Sequence, residues 1–177
     1  MTIRTVAGGI AAAAVMTLGG FAYAAAQPGD FSTLPVDPNL ITDSLAYHAS
    51  PPVLNPNGQP GVETVYTHRD GSRTITTKVL VLSEPQAATA ALEGARAELA
   101  GTVANGKTQP AAVGAGGSML TGTSADGSKS VTVLSFAHGN TATTIEFDGA
   151  ANDPAPTDLV LELGRKQDTA IQDWQAA

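Results

Sequence analysis

Three short turn signals, set between runs of alternating apolar residues, constrain this chain more than any other feature. They are Arg69-Asp70-Gly71-Ser72, Ala125-Asp126-Gly127-Ser128 and Ala137-His138-Gly139-Asn140. Each offers a glycine where a tight hairpin needs positive φ. Runs joined by such turns must lie side by side and antiparallel. Val62 to His68 and Arg73 to Leu82 flank the first turn, Ser118 to Thr123 and Lys129 to Ala137 the second, and Thr141 to Asp148 follows the third. Side chains alternate with period two along a strand, so Ile75, Val79 and Val81 share one face while Leu80 and Leu82 point the other way. Ile145 and Phe147 oppose Glu146, the pattern of a half-exposed strand.

Two segments read with helical period instead. Ala88, Ala91, Leu92, Ala95 and Leu99 follow an i, i+3, i+4, i+7 stripe, with Ser83 and Gln86 spaced as a capping box, Pro85 in the first turn and Gly101 as a stop. Val160, Leu163, Gln167, Ala170, Ile171 and Trp174 form a second stripe in a helix from Asp158 to about Gln175, capped by Thr157. Thr102 to Gly117 shows neither period and reads as a loose connection. The expected fold is α+β: an antiparallel sheet of about five strands in ββαβββα order, packed against two helices.

The segment ahead of Gly61 is different. Met1 to Ala26 has the layout of a cleavable secretory signal peptide: Arg4, a weakly apolar stretch, then small-x-small sites at Ala22-Tyr23-Ala24 and Ala24-Ala25-Ala26. Its Ala- and Gly-rich core is too weakly apolar for a spanning anchor. Residues 27–60 hold seven of the eleven prolines yet keep Phe31, Leu34, Val36, Leu40, Ile41 and Leu45, so they read as an extended strap docked on a single domain of residues 61–177. The strap is expected to cover the second sheet face, where alternation places Leu80, Leu82, Leu134 and Phe136, through Leu34, Leu40, Ile41 or Leu45.

Nine Lys and Arg stand against 16 Asp and Glu, a net charge of −7 that becomes −8 once Arg4 leaves with the leader. No basic run exceeds Arg165-Lys166, so a nucleic-acid partner is not expected, because phosphate contact needs clustered cations. There is no cysteine, hence no disulfide and no lipid-modified cysteine to serve as an anchor after cleavage.

The sequence of strand, hairpin, strand ending Leu80-Val81-Leu82-Ser83, alanine-rich helix, glycine-rich stretch, hairpin and closing helix resembles the small exported domains of actinobacteria over about Gly61 to Trp174. It is similar to the PsbP/Mog1-like α/β/α sandwich, the group of the LpqN-type mycobacterial proteins. The resemblance implies an envelope protein that binds or assists partners. The chain lacks the lipobox cysteine that many of that group carry, which speaks against an anchored role.

Motifs for chemistry are sparse. Gly116-Gly117-Ser118-Met119-Leu120 fails as a nucleophile elbow at its last position and leads into a strand. The same glycines lack the Lys-Ser/Thr pair of a phosphate loop, and Asp148 to Asp153 has no calcium-loop spacing. His68, Asp70, His138 and Asn140 are the candidate ligand-binding residues. If both turns fall at one end of the sheet they gather on one rim, where two imidazoles and a carboxylate match an open zinc site. The plainer reading is that turns demand Asp, Gly and Asn. The function read here is an exported, non-catalytic envelope or secreted accessory protein, without cofactor, binding an unknown envelope protein or a small apolar ligand. The alternative is a secreted metal-dependent hydrolase using the histidine/aspartate rim.

Overall fold

The computed structural model describes residues 30–42 and 45–177. The leader, the first three strap residues and residues 43–44 lie outside the described residues. After single 3-10 turns at Phe31–Thr33 and Pro38–Leu40 come β1 (Tyr47–Ala49), β2 (Val53–Leu54), a third 3-10 turn at Pro56–Gly58, β3 (Gly61–His68), β4 (Thr74–Val81), α1 (Pro85–Thr102), β5 (Ala104–Pro110), β6 (Ala115–Thr123), β7 (Lys129–His138), β8 (Thr141–Ala150) and α2 (Thr157–Ala176). The eight strands form one sheet in the order β1-β3-β4-β8-β7-β6-β5, with β2 also on the outer side of β3. All pairs are antiparallel.

The α+β class and the antiparallel sheet hold, but the expected five strands and ββαβββα order do not. Five strands fall where the turn signals place them. The three additional ones lack a period-two apolar face. β1 and β2 are three and two residues long, set among prolines, and join the edge of β3 with Tyr47 opposite His68 and Val53 opposite Glu63. β5 occupies the segment read as a loose connection. Its sequence Ala-Asn-Gly-Lys-Thr-Gln-Pro is exposed on nearly every residue and is held by main-chain pairing to β6, with Thr121 and Thr123 hydroxyls donating to Lys107 O and Ala104 O. A register shift between Ala104 and Lys107, with Asn105 at φ 54°, and the closing Pro110 blunt its outer edge.

The sheet is covered on both faces. On one face Ile75, Val79, Leu134, Phe136 and Ile145 pack with Val160, Leu163 and Ile171 of α2. Gly164 lets α2 come close: a Cβ there would sit 2.2 Å from Leu134 Cδ2. The strap joins this same layer, with Phe31 and Leu34 buried and Phe31 edge-to-face against Trp174 at 5.9 Å. Gln167, the one polar residue on the α2 stripe, is fully buried because it replaces strand pairing for the strap: its Nε2 donates to Leu34 O at 2.8 Å and its Oε1 accepts from Val36 N at 2.9 Å. The opposite face carries a smaller cluster of Leu82, Ala88, Leu92, Ala137 and Ala142 beneath α1. Leu134 and Phe136 therefore lie on the strap face, opposite to Leu80 and Leu82, while Leu40 and Leu45 point to solvent. β7, sandwiched between the layers, is buried from Ser130 to Ala137.

The helix caps also differ from expectation. Glu84 and Pro156, not Ser83 and Thr157, occupy the N-cap positions, and neither makes a side-chain cap bond. Among the described residues, no helix is long and apolar enough to cross a membrane.

Candidate functional site

The apolar stripe of α1 is longer than the apolar surface it can rest on. Its first half closes tightly over Leu82 and Ala142, burying Ala88 and Leu92. Beneath its second half the strands present Lys78, Thr144 and Glu146, which cannot interdigitate with alanine and leucine. The mismatch leaves a cleft of about 240 Å³, roofed by Ala91, Ala95 and Leu99 and floored by Leu80, Val133 and Ala142. Arg96 pins the helix on its other flank. Its Nε donates to Ser135 Oγ at 2.9 Å and its Nη2 to Gly116 O at 2.5 Å, so the opening faces β4 and β8.

The polar end of the cleft is charged unevenly. Lys78 Nζ is engaged by Glu63 Oε2 at 2.9 Å, and Lys129 Nζ lies 3.6 Å from Asp148 Oδ2. Glu146 stands between these pairs without a hydrogen bond or ion pair among the described contacts. Burial raises its pKa, and the neighbouring Asp148 pushes the same way, opposed by the fields of Lys78 and Lys129. A carboxylate raised by burial beside a largely apolar cleft makes this the candidate binding site. The sequence carried one trace of it: Glu146 sits on the strand face that α1 has to cover.

The four residues singled out from sequence do not form one rim. Thr74 pairs with Asp148, and Val81 pairs with Thr141, the partner of His138. His68 lies beyond the Thr74 end and His138 at the Val81 end, seven strand positions away, or about 23 Å at 3.3 Å per residue. The cause is β5. One unrecognised crossing of the sheet reverses the direction of every later strand and carries the β7–β8 turn to the far end. Among the described residues, no group of three or more His, Cys, Asp or Glu is placed to hold a metal ion.

Each histidine instead serves its own corner. His68 Nδ1 is 2.6 Å from Asp70 Oδ1, the same oxygen that accepts from Ser72 N at 2.8 Å and Ser72 Oγ at 2.6 Å. These bonds, those of Ser72 foremost, hold the Asp70 carboxyl well below the usual range. The β6–β7 turn repeats the device. Asp126 Oδ1 accepts from Ser124 Oγ at 2.6 Å and Ser128 N at 3.0 Å, and its pKa is lowered to about 2. Gly71 and Gly127 take φ of 73° and 69°. His68 thus fills the place that Ser124 fills in the other hairpin, and the Ser72 hydroxyl is spent on Asp70 rather than on the imidazole. His138 Nδ1 is 2.8 Å from Asp168 Oδ1 on α2. Asn140 Nδ2 donates to Leu82 O at 2.7 Å, and Gln175 Nε2 donates to His138 O and Asn140 Oδ1, both at 3.1 Å. That corner ties α2 and the start of α1 to one turn.

No family model matches this chain, and no curated protein matches it. Among solved structures, it is similar to the extracellular domain of PknH from Mycobacterium tuberculosis, with a TM-score of 0.61 over 81% of this chain and 95% of that one, at 9% sequence identity. The likeness is one of fold: an α+β domain of the kind also found in a mycobacterial extracellular domain.

Proposed function

We propose that this chain is an exported, non-catalytic binding domain of the cell envelope or its surroundings, and that its ligand lies in the cleft beneath the C-terminal half of α1. The observation that carries this reading is the cleft itself, a slot apolar along most of its wall that ends at a carboxylate with no direct ion pair among the described residues. The leader-like N-terminus, the fold shared with an extracellular domain and the resemblance to PsbP/Mog1-like exported proteins support export. The ligand class is a small apolar molecule or an apolar side chain of an envelope partner. Nucleic acid is disfavoured by the net charge of −7. The hydrolase alternative has no observation in its favour, since its intended rim is divided between two ends of the sheet.

The test uses the uncharged fluorophore phenylnaphthylamine. Binding to the wild-type protein is expected, with loss in Ala95→Trp and, independently, in Ala91→Leu, each of which fills the slot while thermal unfolding stays cooperative. Equal binding by the filled variants overturns the reading. N-terminal sequencing of the exported protein should start after Ala24 or Ala26; a start at Met1 removes the cleavage proposal.

A further inference from the structure

The charges at the cleft narrow its ligand further, and this step rests on the reading of the cleft as a binding site. We infer that the occupant is an amphipathic amine: an aliphatic chain lying under α1 with a cationic, hydrogen-bond-donating head at Glu146.

The argument follows where the positive charges are spent. Two lysines approach the polar end, and each lies against a different carboxylate: Lys78 against Glu63, and Lys129 against Asp148. Glu146 lies on the strand between them and receives neither. Glu98 of α1 adds a second carboxylate at the cleft wall, with no ion pair among the described residues. The charged groups acting on Glu146 are thus Lys78 from β4, Glu63 from β3, Asp148 from β8 and Lys129 from β7, two acids and two cations each set against one of those acids, while Glu98 of α1 lines the same cleft. An anionic head such as a fatty acid would bring another negative charge to a half-buried carboxylate. It would also have to draw a lysine from its partner, leaving that carboxylate bare. A neutral alcohol would donate to Glu146 but bring no positive charge into contact with it. An ammonium supplies three donors and a positive charge in direct contact, where a charge-assisted bond is worth about twice a neutral one. Away from its charged end the slot is walled mainly by Leu80, Ala91, Ala95, Leu99, Val133 and Ala142, with Thr102 and Thr144 as its polar side chains, and suits a methylene chain.

The experiment is displacement of phenylnaphthylamine by n-octylamine, n-octanol and n-octanoate at neutral pH. These share one chain and differ in the head. The amine is expected to compete about tenfold better than the alcohol, the factor set by one charge-assisted hydrogen bond of ~1.5 kcal/mol. Octanoate should be the weakest. In Glu146→Gln the amine should fall to the level of the alcohol while the alcohol is unchanged, a pattern that loss of folding does not produce. If octanoate displaces the probe as well as octylamine does in the wild type, the head assignment is overturned while the cleft stands. If none of the three displaces the probe and Ala95→Trp leaves probe binding intact, the cleft reading falls and this inference falls with it. The wild-type series needs no variant, so the outcome does not depend on how Glu146→Gln folds.

Discussion

Individual side chains carry costs that can be measured. Glu146 is raised by burial, so the native state binds its proton more tightly than the unfolded chain does. In the window just above the ordinary glutamate pKa of 4.5, the unfolded state therefore releases the proton first, and stability falls as pH rises. Glu146→Gln removes that dependence. The variant should match the wild type in strong acid and exceed it at neutral pH, as read by urea unfolding at several pH values. Asp70 and Asp126 have the opposite sign: their stabilising effect is present above the unfolded carboxylate pKa and is lost as pH falls toward their depressed values. A second residue-level cost lies under α2, where the buried hydroxyls of Thr77 and Thr143 have no hydrogen-bond partner among the described residues. A buried unpaired hydroxyl costs about 1–3 kcal/mol, and valine keeps the shape without the polar atom. Thr77→Val and Thr143→Val should each raise stability by up to about 1 kcal/mol in equilibrium denaturation.

At the level of elements, α2 and the strap form one layer, and two positions control it. Gln167→Ala deletes two hydrogen bonds and strands Leu34 O and Val36 N–H in the interior, which should cost about 2–4 kcal/mol. Amide exchange at Val36 should then become fast while exchange in β7 stays slow. Gly164→Ala sets a methyl against Leu134, itself fully buried, and overpacking of this kind costs about 1–3 kcal/mol. The elements legible in the sequence were those with a face to bury. Ile75, Val79 and Val81, or Val160, Leu163 and Ile171, repeat at the period of their element because each meets the core. Ala104 to Pro110 meets no core, so nothing in its side chains marks a strand, and its pairing is written only in the backbone. The candidate site suffered twice from this. The missing crossing brought His68 and His138 together on paper, and the cleft arises from a mismatch between Ala95 and Leu99 on one element and Thr144 and Glu146 on another. No single segment shows that mismatch. Gln167 was visible on its stripe, but its purpose depends on a strap more than 130 residues away.

For the whole molecule, the sheet and the layer of α2 and strap make one cooperative body, with α1 resting on a smaller cluster of its own. Strap, sheet and α2 share a single apolar cluster from Phe31 to Ile171, so no part of it can leave without exposing the rest. Trp174, the only tryptophan of the chain, touches the strap through Phe31. Its fluorescence and the far-ultraviolet dichroism of the sheet should therefore change at one urea midpoint; separate midpoints would show the strap to be an independent unit. The contact between Phe31 and Trp174 has a further consequence. It joins the first described turn to the last turn of α2, so the two flanks of the sheet's stretch of sequence hold each other. All eight strands lie in sequence between these two side chains, so a cut beyond either one leaves the whole sheet intact. Between Phe31 and Trp174 the chain behaves as a closed ring, and a ring unravels only where it is cut.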